Sequence, residues 1–180
     1  GLKQANEVFG YTRLMVAAFG LGAGQSALEK AIAFSKERKQ FGTLLREKQG
    51  YTHKLLVPHS VRLAAAQAYI EYVANLLDSG SADRQIEGSV AKLFATEAAN
   101  LAADASVQAL GGYGYCVDYE VEKIRRDARI LTIYEGTSEI QQNIIGVFRM
   151  RENVRSKGRF YAAMADDVEP LADVGGPAVA

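Results

Sequence analysis

A single cysteine, Cys116, and only two histidines, His53 and His59, leave the chain without the means for an internal disulfide or the ligand spacing of a structural zinc site. A reducing compartment is the default expectation. Neither sign of charge is in excess: 21 Lys and Arg stand against 21 Asp and Glu among 180 residues, so no broad nucleic-acid footprint is expected. Apolar windows are broken by Lys, Arg and Glu before they reach bilayer length, and no leader-like segment precedes the first amphipathic stretch. No membrane span and a cytoplasmic location are therefore expected. What the chain does have is hydrophobic residues, 48% of the total, enough for one domain with its own core.

The periodicity of those residues is helical almost throughout. Apolar positions recur at three and four residues from about Asn6 to Arg38, with Gly20, Gly22 and Gly24 grouped inside the segment. Each glycine costs about 1 kcal/mol relative to alanine in a helix interior, so the group predicts close approach of another backbone or a ligand, close helix packing being the plainer cause. A second helix is expected from about Glu47 to Leu77, carrying Leu55, Leu56, Val57, Val61, Leu63, Ile70, Val73, Leu76 and Leu77, with Pro58 as a kink. A third runs from about Asp83 to Leu110, with Ile86, Val90, Leu93, Phe94, Leu101 and Leu110 among many alanines, and closes at "GGYG". A short helix from about Glu120 to Asp127 and an extended piece lead to a fourth long helix from about Thr137 to Glu152. Four long helices with short links predict an all-α antiparallel four-helix bundle over residues 1–152. Residues 153–180, ending in the aperiodic "GGPAVA", read as a linker or frayed tail.

One carboxylate is conspicuously placed. Glu135, in "RILTIYEGTSEIQQNIIG", lies between an apolar run and the first turn of the fourth helix, where Ser138 and Gln141 have capping-box spacing. A positive helix end is a sufficient structural reason for an acidic residue there. The apolar "ILTIY" before it works the other way, disfavouring a charge and suiting a general base. Position alone leaves both readings open.

Four motifs settle on one family. "RRDARILTIYEGTSEIQ" resembles the C-terminal signature of the acyl-CoA dehydrogenases, "KERKQFG" at 36–42 their R-x-x-F-G flavin motif, "QALGGYG" at 108–114 their Q-x-x-G-G-x-G loop, and "VFGYTRLMVAA" at 8–18 their F-D-x-x-R substrate stretch. The order and approximate spacing agree across residues 6–150. The family's C-terminal domain is itself a four-helix bundle.

The resemblance implies FAD-dependent α,β-dehydrogenation of an acyl-CoA thioester. No protein side chain accepts a hydride, so a flavin is required. Glu135 would be the base for the α proton, its backbone N–H would help polarise the thioester carbonyl, and Gly136 would let the acyl chain approach. Some branches carry the base on the first bundle helix, but Thr12 occupies that place here. Arg38, Gln40 and Phe41, with Gln49 nearby, would contact FAD, often across a subunit interface. Gln108, Gly111 and Gly112 would hold its adenosine half, and Thr137 and Glu139 would touch it at the mouth of the last helix. Arg13 would lie beside the substrate, although Gly10 stands where the family usually has Asp.

Each assignment has a plainer counterpart: a solvated helix end for Arg38, a helix C-cap for Gly111 and Gly112, a snorkelling surface side chain for Arg13. Cys116, Met15 and Tyr113 are assigned to packing. The implied partners are an electron-transfer flavoprotein as electron acceptor and further copies of the chain in a homodimer or homotetramer. An acyl-CoA oxidase and a catalytically silent oligomerisation module are the alternative functions. Family enzymes carry two domains ahead of this bundle, so a fragment that purifies without FAD and is inactive alone is expected.

Overall fold

The computed structural model describes residues 2–80 and 85–162, with side chains from residue 8 onward. Two compact units divide the chain, residues 1–145 and 146–180. The elements of the first unit, in order, are α1 (Leu2–Glu37), a hairpin of two short strands β1 (Lys39–Gln40) and β2 (Thr43–Leu44), α2 (Gln49–Leu55), α3 (Val57–Asp78), α4 (Gln85–Leu110), α5 (Val121–Ile130) and the first turns of α6 (Ser138–Arg155). The fold is all-α apart from the hairpin, and α1, α3, α4 and α6 are the four long helices that the periodicity predicts.

The core forms where α1, α3 and α4 meet. Leu14, Ala17, Ala66, Val73, Ala91 and Ala95 make one cluster, and Leu28, Ala31, Leu56, Leu63, Ala98, Ala102 and Val121 belong to another. α1 and α4 run parallel, because Gly10 faces Gly88, Gly20 faces Ala95 and Thr96, and Gly24 faces Ala99. α3 runs antiparallel to α1, since Gly24 meets Leu63 while Leu14 packs with Val73 in the other cluster.

The glycines permit this closeness. A β-carbon at Gly88 would lie 2.4 Å from the Gly10 carbonyl oxygen, and one at Gly24 would lie 3.1 Å from the Ala99 α-carbon. The expectation of close packing at Gly20 and Gly24 holds, while Gly22 faces open space. The buried side of α4 is mostly alanine: Phe94 and Leu101 of the periodic pattern are exposed and Leu110 is buried, while Ala91, Ala95, Ala98, Ala99, Ala102 and Ala103 are buried. Small side chains let α1 sit against α4, and the large ones are displaced to its flanks.

Three local expectations are corrected. Pro58 does not kink one long helix; the chain breaks at Leu56, and Pro58 lies in the first turn of α3, where its missing N–H costs nothing. Val57 and Val61 consequently face solvent. The piece after α5 is not extended but a run of turns, in which Ile133 and Tyr134 N–H groups both donate to the Ile130 carbonyl. The strands were not anticipated: Phe41 and Gly42, both at positive φ (52° and 81°), form the two-residue loop joining them.

In the second unit, α6 ends after Arg155 in a Schellman cap. Lys157 is left-handed, and the Gly158 and Lys157 N–H groups donate to the Asn153 and Val154 carbonyls. The Arg149 guanidinium stacks 4.4 Å from the Phe160 ring centroid. Most of the expected tail, from residue 163, lies outside the described residues.

Candidate functional site

At the start of α6 the chain makes a sharp turn on two successive left-handed residues, Glu135 (φ 56°) and Gly136 (φ 92°). A charged non-glycine residue in that region is sparsely populated and persists only where its surroundings over-determine it. Here they do. Thr12 Oγ1 on α1 donates to Glu135 Oε2 at 2.9 Å. Gln141 Nε2, from a side chain 0% exposed, donates to the carbonyls of Glu135 (2.9 Å) and Gly136 (3.1 Å). Lys92 Nζ on α4, also 0% exposed, donates to the Gly136 carbonyl at 2.8 Å. Ser138 closes the turn, its N–H donating to the Thr132 carbonyl and its hydroxyl to Glu97 Oε1 at 2.6 Å.

The cap of α6 differs from the predicted one. Thr137 is the residue at the helix mouth, its hydroxyl accepting from the Ile140 N–H at 3.4 Å, whereas Ser138 and Gln141 turn their side chains to Glu97 and to the turn carbonyls. Glu139 is exposed in the first turn, and hydrogen bonds from its own backbone N–H and the Thr137 hydroxyl hold its carboxyl below the usual range.

Arg13 is no surface residue. It is 6% exposed, donates to Ser89 Oγ at 3.0 Å and lies 5.4 Å from the Phe9 ring centroid, with Nε unpartnered among the described residues. Burial pulls its pKa below the ordinary value, and the Glu135 charge pulls it back. Burial, then the charge of Arg13, lowers Lys92 likewise, against Glu97, Glu135 and Glu139. Both buried cations thus feel the Glu135 charge.

The other end of α1 and α4 carries a second cluster. Phe34, Arg38, Gln40, Tyr51, Gln108, Gly111, Gly112, Tyr113 and Cys116 line a cavity of about 450 Å³, within the range of small-molecule sites. With its amide turned to accept, Gln40 takes the Arg38 guanidinium at 2.8 Å, and that guanidinium lies 5.5 Å from the Tyr113 ring centroid. Tyr51 donates to the Ala109 carbonyl at 3.1 Å. β-carbons at Gly111 and Gly112 would meet nothing within 4 Å, which leaves backbone open to an approaching group. Cys116 and Tyr113, assigned to packing, are exposed on this cavity's lining, and Met15 is also exposed.

Phe41 is 93% exposed at the tip of the hairpin, where a bulky residue holds a left-handed φ. Gln49 is exposed at the start of α2, outside the cavity lining. Sequence reasoning brings Arg38, Gln40, Gln108, Gly111 and Gly112 to one place, as the structure does. It missed Lys92, Ser89, Glu97 and Tyr51. Among the described residues there is no cluster of three or more metal-ligating side chains, and no helix long and apolar enough to cross a membrane.

The helical domain thus carries a carboxylate turn at one end of α1 and α4 and a cavity edged by Gly111 and Gly112 at the other. The chain belongs to the acyl-CoA dehydrogenase family: residues 1–148 match the model of the acyl-CoA dehydrogenase C-terminal domain. It is 39% identical over 145 residues to the caffeyl-CoA reductase-Etf complex subunit CarC of Acetobacterium woodii, covering 81% of this chain and 38% of that protein. It is 43% identical over 136 residues to an acyl-CoA dehydrogenase of Bacillus subtilis, covering 76% and 35% respectively. The butyryl-CoA dehydrogenase structure from Megasphaera elsdenii superposes with a TM-score of 0.80 at 34% identity, over 83% of this chain and 39% of that one. The chain therefore spans well under half the length of these relatives.

Proposed function

We propose that this chain is the C-terminal domain of a flavin-dependent enzyme that interconverts an acyl-CoA thioester and its α,β-unsaturated form, with Glu135 exchanging the α proton. The single observation that carries the reading is the Glu135 turn. Its carboxylate is half-buried, and Thr12 takes one oxygen, Oε2, leaving Oε1 for a substrate proton. Among the described residues, no acceptor takes the Glu135 N–H, which suits it to a thioester carbonyl oxygen. Gly136 beside it would present backbone to an acyl chain, while its missing side chain makes room for Gln141.

FAD, when bound, supplies the hydride acceptor that no side chain provides. The residues at the cavity fit one part of such a dinucleotide. Arg38 and Gln40 offer polar groups for phosphates, Gln108 and the open backbone of Gly111 and Gly112 suit the adenosine half, and Phe41 offers an exposed ring. Thr137 and Glu139 would meet the cofactor at the mouth of α6, with Gln49 near the cavity and Arg13 as a cation beneath the substrate pocket. The relative named as a caffeyl-CoA reductase supports the same chemistry run in reverse, with Glu135 returning the proton. Its Etf complex supports an electron-transfer flavoprotein as redox partner.

Thr12 and Glu37 lie on one helix, about 38 Å apart at 1.5 Å per residue. One bound dinucleotide does not reach from the carboxylate to the cavity, so the two ends serve different FAD molecules and the active form is a homodimer, or a tetramer of such dimers. Alone, the domain would fold yet purify colourless and inactive, because an isoalloxazine needs walls that half a site does not supply.

The test uses this domain fused behind the part of the Bacillus subtilis relative that lies outside the match. Glu135→Gln should keep FAD and thioester binding but bleach the flavin roughly 10²- to 10⁴-fold more slowly. Near-normal bleaching would overturn the assignment.

A further inference from the structure

Lys92 has no part in the roles assigned above, yet it is the largest fully buried side chain among the described residues. A buried ammonium is costly unless its partners compensate, and a lysine on a helix packed with alanines would ordinarily extend to solvent. Here it turns inward and donates to the carbonyl of Gly136 at 2.8 Å.

That carbonyl is one of two that the fold draws inward. Gln141 holds the Glu135 and Gly136 oxygens together, and a β-carbon at Gly136 would lie 2.5 Å from Gln141 Nε2, so the amide is seated against the turn. In a trans peptide the C=O and the following N–H point in opposite directions. Pulling the Glu135 and Gly136 carbonyls toward α4 and α6 therefore turns the Gly136 and Thr137 N–H groups the other way. Among the described residues these N–H groups donate to nothing.

We propose that Lys92 is a positioning residue: its buried ammonium anchors the Gly136 carbonyl and so fixes the direction in which the Glu135 carboxylate and the amides of Gly136 and Thr137 face. Gln141 supplies the neutral half of the clamp, and Thr12 secures the carboxylate from the opposite helix. Burial, then the charge of Arg13, lowers the Lys92 pKa, while Glu97, Glu135 and Glu139 act the other way, so the anchor rests on the hydrogen bond and the burial. A charged donor gives a shorter and stronger bond to a carbonyl than a neutral one, which suits a turn held in a sparsely populated conformation. The catalytic consequence rests on the reading of Glu135 as the base; the anchoring itself does not.

Two measurements on the 180-residue chain test the anchoring. In wild-type protein, nitrogen-detected NMR of the lysine side chains should show one ammonium with slow proton exchange, absent from Lys92→Met. In that variant, exchange of the Ser138 N–H, which closes the turn on Thr132, should accelerate roughly tenfold relative to α4 amides such as Ala99. Equal acceleration at both places would make Lys92 an ordinary core residue and overturn the proposal. If Lys92→Met does not fold, the wild-type spectrum decides, and the lack of any protected ammonium would overturn it too. In the fused enzyme, Lys92→Met should lower kcat at least tenfold at unchanged flavin content. Normal turnover in Glu135→Gln would sink the base assignment while leaving the exchange result to judge Lys92 by itself.

Discussion

Gly136 shows how one residue type serves the turn twice. Its φ of 92° is rarely open to a side chain, and a methyl group there would collide with Gln141 Nε2 at 2.5 Å. Gly136→Ala should therefore cost about 1–3 kcal/mol in denaturant unfolding and release the Gln141 clamp; an unchanged midpoint would contradict the turn geometry. His59 offers a pH-dependent counterpart. It is buried with Nδ1 unpartnered among the described residues, and burial, then Arg62, holds its pKa below 6.5, against Asp104. The unfolded chain takes up the proton near its ordinary value, so the folded form loses stability as pH falls below about 6.5, and the loss levels off below the folded pKa. The stability gap between wild type and His59→Leu should shift toward the variant between about pH 7 and pH 5. Parallel pH profiles would show that His59 is not the source.

Among the elements, the α1–α4 pair carries the most specific packing, and its glycines separate cleanly into two kinds. A β-carbon at Gly88 meets the Gly10 backbone at 2.4 Å, whereas one at Gly22 meets nothing. Gly88→Ala should destabilise by about 1–3 kcal/mol because backbone must move. Gly22→Ala should stabilise by up to about 1 kcal/mol through helix propensity. Thermal melts of the two variants moving in the same direction would contradict the parallel, close-packed arrangement. The helices themselves were legible because period-3.6 patterning survives in any context. The place of Glu135 ahead of the fourth helix was legible, but its turn was not: an extended piece was expected before it, and Thr137 rather than the Ser138 and Gln141 pair sits at the helix mouth.

What was not legible had physical reasons. The hairpin turn uses Phe41-Gly42 rather than the Asn-Gly that signals such loops, so nothing local announced it. Lys92, in "AKLFATE", reads as a solvated helix lysine, and only the approach of the α6 mouth gives it a buried partner. The buried face of α4 was read as larger apolar residues together with alanines; close approach of α1 leaves the alanines beneath it and turns Phe94 and Leu101 outward. Pro58 was read as a kink since the pattern runs through it; the break at Leu56 places it instead in a first turn.

At the scale of the whole molecule, the two ends of α1 set the account's central claim: the carboxylate turn and the glycine-edged cavity of one chain complete two different flavin sites. Subunit complementation tests this most directly. Two versions of the fused enzyme are made, one Glu135→Gln and the other Arg38→Glu, each inactive as a homodimer. Co-refolded in equal amounts, they should form mixed dimers in which one site has both defects and the other has none. Recovery of about a quarter of wild-type flavin bleaching follows from statistical pairing with one intact site per mixed dimer. If both defects belonged to a single site within each chain, every site in the mixture would stay broken, and bleaching no greater than that of the separate variants would contradict the claim.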